Sequence, residues 1–154
     1  MDVLSWDDYF TAVAFLSSLR SVDPLKKGGA CIVNKENRIV GTGYCGFPRG
    51  MDSLPPGHDP DFFTCHAVMN AILNKNQYDV TGCRIYTTRF PCSDCAKMII
   101  QAGLSRVVYS NGRVNEATQI LFSLGGISLL KYAPRNRESF YVGSCTMSMN
   151  SDST

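Results

Sequence analysis

Apolar positions recur at helical spacing near the start of the chain. Between Ser5 and about Arg20, the residues Tyr9, Phe10, Val13, Phe15, Leu16 and Leu19 return mostly every three or four positions, and Ser5 precedes Asp7 and Asp8 as an N-cap. That spacing predicts a helix. The period then shortens: Ala30 to Val33 and Ile39 to Thr42 read as two strands around the polar turn Asn34 to Asn37, a hairpin. From Tyr44 to Thr64, Gly, Pro and Asp interrupt every period over a stretch longer than most connections, which predicts a site-forming loop. Beyond it the pattern predicts a helix from about His66 to Lys75, a strand Arg84 to Thr88 and a helix from about Ser93 to Ala102. A strand Arg106 to Tyr109, a helix near Asn115 to Ser123 and a strand near Ile127 to Tyr132 follow. Alternating strands and helices argue an α/β domain with a mainly parallel or mixed sheet covered on both faces. With no repeat, heptad run or linker, residues 1–144 read as one domain and 145–154 as a loose polar tail.

Composition adds limits. A chain of 154 residues, 44% hydrophobic and 18% charged, can bury one core without disulfide help. A formal charge of +2 does not announce a nucleic-acid or membrane surface. No N-terminal stretch has the order of a signal peptide and no apolar run approaches roughly 18 residues, so a cytoplasmic or nuclear protein is expected. Seven cysteines, an odd number without a secretory signal, argue against disulfides and leave metal binding open.

The informative stretch is Pro91-Cys92-Ser93-Asp94-Cys95, where two cysteines three apart open a predicted helix directly after a strand. Both thiols then lie in the first turn, where the helix dipole favours thiolate and one tetrahedral Zn2+ can be spanned. A redox dithiol, or two inert buried cysteines, shares this spacing. A third ligand is offered by His66 in Cys65-His66-Ala67, at the start of another predicted helix, although a lone histidine is ordinarily a cap or a core residue. Taken together, a His opening one helix and a Pro-Cys-x-x-Cys opening the next is the pattern of the zinc-dependent deaminases. Three protein ligands leave the open position of a catalytic-type zinc, which activates water for attack on an amine-bearing ring carbon. Cys65 filling the fourth position would make the site structural instead.

The chain resembles the deoxycytidylate deaminase family from Ser5 to about Tyr132. The likeness runs through Ser5-Trp6-Asp7-Asp8-Tyr9-Phe10, Gly29-Ala30-Cys31-Ile32-Val33, Cys65-His66-Ala67, Asn70-Ala71-Ile72 and Phe90-Pro91-Cys92-Ser93-Asp94-Cys95-Ala96-Lys97. The resemblance implies a three-layer α/β/α cytidine-deaminase-like fold with a central mixed sheet of about five strands. It also implies conversion of dCMP to dUMP, a homohexameric habit, and regulation by dCTP and dTTP. By position, His66, Cys92 and Cys95 match the zinc ligands, and Ala67 and Phe90 match residues lining the pyrimidine pocket. Two positions after the histidine the family carries the glutamate that moves the protons. Here it is Val68, which cannot bind a proton, and no carboxylate follows in the first turn. Positioned acid/base groups contribute roughly 10²–10⁴-fold per step, so the site is expected to be silent. Where the family usually has an Asn for a nucleotide contact, Gly43-Tyr44-Cys45-Gly46 carries the weakly polar Cys45. The segment after Asn111 is also shorter than the family leads one to expect. The triplet His66-Ala67-Val68 is similar to that of the non-catalytic subunit of the tRNA adenosine deaminase heterodimer.

The first expectation is therefore a pseudoenzyme that binds zinc and a pyrimidine deoxynucleotide and assembles with itself or with an active homologue. A true dCMP deaminase carrying a Glu-to-Val change and a structural zinc domain without nucleotide binding are the alternatives. Arg20, Lys26, Lys27, Arg49 and Arg113 border predicted loops and could collect phosphates or form a solvated rim. Tyr9, Phe10 and Phe15 read as core or subunit interface, given their helical spacing.

Overall fold

The computed structural model describes residues 3–22, 27–134, 139–142 and 145–148. Helix α1 (Trp6–Ser18) starts where the Ser5 side chain accepts a hydrogen bond from the Asp8 amide, at 3.1 Å. Its inner face carries Phe10, Ala14 and Ser18, with Asp8 and Thr11 beside them, all buried. Trp6, Tyr9 and Leu16 point outward, at 56%, 44% and 45% exposure. Of the three aromatic residues read as core or interface, Phe10 is core, Phe15 is half-buried and Tyr9 faces out.

Strands β1 (Gly29–Val33) and β2 (Ile39–Tyr44) form the expected antiparallel hairpin. Its turn closes on Asn34, whose side-chain oxygen accepts from the Glu36 and Arg38 amides, and Asn37 takes the left-handed φ of 59° that asparagine tolerates. The irregular segment after β2 is not wholly without structure. It contains the one-turn helix α2 (Pro60–Phe63), capped by Asp59, and a bridge between Gly46 and Cys65. Periodicity could not reveal a helix of four residues. Then come α3 (Ala67–Leu73), β3 (Arg84–Arg89), α4 (Ser93–Gln101), β4 (Arg106–Asn111), α5 (Glu116–Leu124) and β5 (Ser128–Lys131), each within a few residues of its expected place. Strands β6 (Ser139–Val142) and β7 (Cys145–Ser148) pair antiparallel as a separate two-stranded sheet, so the segment expected as tail begins with a strand. Residues 149–154, and Lys26 of the basic set, lie outside the described residues.

The main sheet has the order β2-β1-β3-β4-β5. Strand β1 runs antiparallel to both neighbours, whereas β3, β4 and β5 are parallel, giving the mixed five-stranded sheet. Two cores sandwich it. Phe10 and Ala14 of α1 meet Cys31, Val33, Tyr86, Val108 and Tyr132 on one face. On the other, α3, α4 and α5 supply Val68, Ala71, Ile99 and Phe122 against Ala30, Ile32, Ile85 and Val107. With helices on both faces β1 is buried at every residue, as a central strand of an α/β/α sandwich must be. Gly43 sets the closeness of α3 to β2: a Cβ there would lie 2.3 Å from both the Ala67 carbonyl oxygen and the Ala71 nitrogen. No described helix is long and apolar enough to cross a membrane.

Candidate metal centre

The parallel crossover from β3 into α4 carries the two cysteines. Pro91 is buried at the strand exit, and Cys92 takes the extended N-cap conformation, φ −70° and ψ 171°, without using its side chain as a cap. Its thiol is therefore left for another partner. Cys95 lies in the first turn and is buried. His66 occupies the equivalent N-cap position of α3, again with no side-chain capping bond. Packing α3 and α4 side by side on one face of the sheet brings these helix starts together.

His66 Nδ1 is 3.4 Å from both Cys92 Sγ and Cys95 Sγ. Tetrahedral zinc, with bonds of about 2.3 Å to sulfur and about 2.0–2.1 Å to nitrogen, sets nitrogen and sulfur about 3.5 Å apart. All three ligand atoms lie within 4.8 Å of one another, so the donor set fits one ion. The electrostatics agree. The Cys92 thiol is pulled down to about 4 because it accepts hydrogen bonds from Cys95 and from the His66 ring. Cys95, which donates the shared proton and is buried, is pushed up. The opposed shifts come from one shared hydrogen bond, at a place where a cation would favour thiolate.

Among the described residues the ligand group is His66, Cys92 and Cys95, the trio anticipated from spacing. Cys65, weighed as a fourth ligand, is held by its backbone instead: its amide donates to Gly46 O at 2.7 Å, and its carbonyl accepts from Gly46 N at 3.1 Å. The other histidine, His58, is exposed and has its Nδ1 3.1 Å from the Pro56 carbonyl. Val68 is 5% exposed and belongs to the core between helices and sheet. Ala67 is buried in the same cluster, and Cys45 and Phe90 pack against its edge. The Phe90 ring is held edge-on to Tyr109, with centroids 5.0 Å apart. Arg20, Lys27, Arg49 and Arg113 are all exposed; Arg20 sits 5.8 Å above the Tyr44 ring, next in sequence to Cys45. Arg113 borders an open surface depression along the turn into α5, with Val114, Asn115, Glu116 and Ala117.

Two residues have roles that periodicity did not suggest. Gly28 makes room for the Cys45 thiol, since a Cβ there would be 2.8 Å from its sulfur. The Asn70 amide donates to the Tyr44 carbonyl at 2.7 Å. A glycine at a strand edge and an asparagine inside a helix were the available signals, and neither is specific by itself.

Fold and ligand set together define a zinc-dependent deaminase scaffold. Residues 4–111 match the cytidine and deoxycytidylate deaminase zinc-binding region, and the chain belongs to that family; its His-Cys-Cys group supports zinc as the cofactor. The chain is similar to the deoxycytidylate deaminase of Mus musculus, 46% identical over 148 residues that span 87% of this chain and 83% of the relative. It is 45% identical to the deoxycytidylate deaminase of Homo sapiens, with the same coverage of 87% and 83%. Among solved structures, the dCMP deaminase of cyanophage S-TIM5 in complex with dCMP and dUMP superposes with a TM-score of 0.71 at 30% identity. The match covers 80% of this chain and 94% of that one.

Proposed function

We propose that this chain is a catalytically silent deoxycytidylate deaminase homologue that keeps its zinc, binds a pyrimidine deoxynucleotide, and assembles with itself or with an active homologue. The observation that carries this reading is Val68. In the zinc-deaminase signature, His-x-Glu followed by Pro-Cys-x-x-Cys, the glutamate is the general acid/base and not a ligand. Val68 occupies that position as a buried hydrocarbon. The first turn of α3 holds no acidic residue, and no carboxylate joins the ligand group among the described residues. Asp94, close in sequence, is exposed and paired with Lys97 at 3.0 Å.

When bound by His66, Cys92 and Cys95, zinc supplies Lewis-acid activation of water near neutral pH. Everything else falls to the chain. Ala67, buried in the core, and Phe90, packed against it, stand at the positions that line the family's pyrimidine pocket, and Arg20 stands over Tyr44 as a cation for a phosphate. Cys45 offers a weakly polar thiol where an amide would bond twice. Among the described residues no carboxylate beside the three ligands is placed to carry a proton to a ring nitrogen or a leaving amine. The cyanophage relative in complex with dCMP and dUMP, and the likeness to the mouse deoxycytidylate deaminase, support a deoxycytidylate-type ligand; dCTP and dTTP are the regulators that the family resemblance implies. Exposed Trp6 and Tyr9 on α1 support assembly.

The deciding experiment is ammonia release from dCMP by zinc-replete protein, with calorimetry of dCMP, dCTP and dTTP alongside. Binding without turnover is expected. Turnover on the order of 10 s⁻¹, ordinary for an enzyme, would overturn the silent reading. Failure to bind all three nucleotides would leave a structural zinc domain.

A further inference from the structure

His66 turns Nδ1, the ring nitrogen nearer the main chain, toward both sulfurs, so the position of that nitrogen follows the backbone of residues 65 and 66 closely. Nothing in the side chain of His66 caps α3. What places that backbone is a three-way joint. The Gly46 and Cys65 backbones exchange two hydrogen bonds, joining the chain just after β2 to the residue before His66. The Asn70 side chain, one turn into α3, donates to Tyr44 O at 2.7 Å and lies 3.5 Å from Cys65 O. The Asn70 amide also donates to His66 O at 3.0 Å. Both side-chain partners are carbonyl oxygens, which only the NH2 end of the asparagine can satisfy.

We infer that Asn70 is a positioning residue for the zinc site, holding the segment before His66 against the end of β2 so that Nδ1 meets the two sulfurs. The same amide fixes Tyr44, and so the backbone that delivers Cys45 to the pocket edge. Metal and pocket wall therefore share one support. Outer-shell partners of metal ligands typically change affinity by about 10–100-fold when removed. The inference rests on the zinc site alone and holds whether or not the chain deaminates.

Asn70→Asp keeps the shape and replaces the donor with a carboxylate oxygen facing two carbonyls. Zinc affinity, measured by competition with a chromophoric chelator, is expected to fall on the order of 10-fold or more. The visible bands of the cobalt-substituted protein should shift as the nitrogen ligand is displaced. Unchanged zinc affinity and an unchanged cobalt spectrum in a folded variant would overturn the inference, whatever happened to its melting temperature. Should the variant not fold, hydrogen exchange of the wild-type chain decides. As buffered free zinc is lowered, the Gly46 and Cys65 amides should lose protection before the Val108 amide on β4. Simultaneous loss at all three would refute the joint.

Discussion

Restoring a carboxylate at position 68 perturbs stability and chemistry in opposite directions, and the structure sets the size of each. Val68 is 5% exposed, and burying a valine side chain stabilises by about 1.5–3 kcal/mol. Val68→Glu forfeits part of that and places a carboxyl among Ala71, Ile99 and other apolar neighbours, where desolvation raises its pKa. The metal-free variant should be less stable by about 2–4 kcal/mol. Zinc changes the balance, because position 68 lies only ~3 Å further along the helix than His66 and a nearby cation favours the ionised carboxylate. Zinc should therefore raise the melting temperature of the variant more than that of the parent. If the rest of the pocket is competent, dCMP deamination should rise about 10²–10⁴-fold or more, since one group serves several proton transfers. The assay pairs thermal melts, with and without chelator, with ammonia release at saturating zinc. A parent chain as active as Val68→Glu would refute the reasoning. A folded, zinc-loaded, inactive variant would place a second lesion at Cys45.

Zinc affinity should weaken as pH falls. Hydrogen bonds from Cys95 and His66 lower the Cys92 thiol while the shared proton and burial raise Cys95, so loading the metal displaces a proton from the pair and acid restores it. About tenfold per pH unit around neutrality is expected in chelator competition at pH 6, 7 and 8, and a flat profile would contradict the assignment. Gly43→Ala sets a methyl 2.3 Å from backbone atoms of α3, which cannot yield as a side-chain tip does. Denaturant melts should show a loss of at least about 1–3 kcal/mol. Tyr132→Phe removes the hydroxyl that donates to Asp8 at 2.5 Å, and Asp8 is 2% exposed. A cost of about 1–3 kcal/mol is expected by the same measurement, and a change near zero would show that the carboxylate is satisfied elsewhere.

The order of helices and strands, the α/β character and the His, Cys and Cys that come together were all legible along the chain. Each rests on local information. Helical and extended periods repeat within ten residues or so, and a Cys-x-x-Cys pair at a helix start states its chemistry in four. The expectation that Val68 stands in a proton carrier's place is likewise local, because it rests on the distance from His66 alone. Short elements escaped for the converse reason: α2 is a single turn, too brief to show a period.

Tertiary structure decided where the pieces meet. That β3 lies beside β1 rather than β2, that His66 faces Cys92 from 26 residues away, and that Asn70 ties β2 to the segment carrying His66 follow from packing two helices against one sheet face. Apolar periodicity says which face of a helix is buried but not against which partner, and an amide in a helix looks the same whether it meets water or a distant carbonyl. The sequence by itself thus determined the family, the order of elements and the His, Cys and Cys that could hold a metal; only the close approach of α3 to β2, permitted by Gly43, and the packing of α3 beside α4 decided that the three meet.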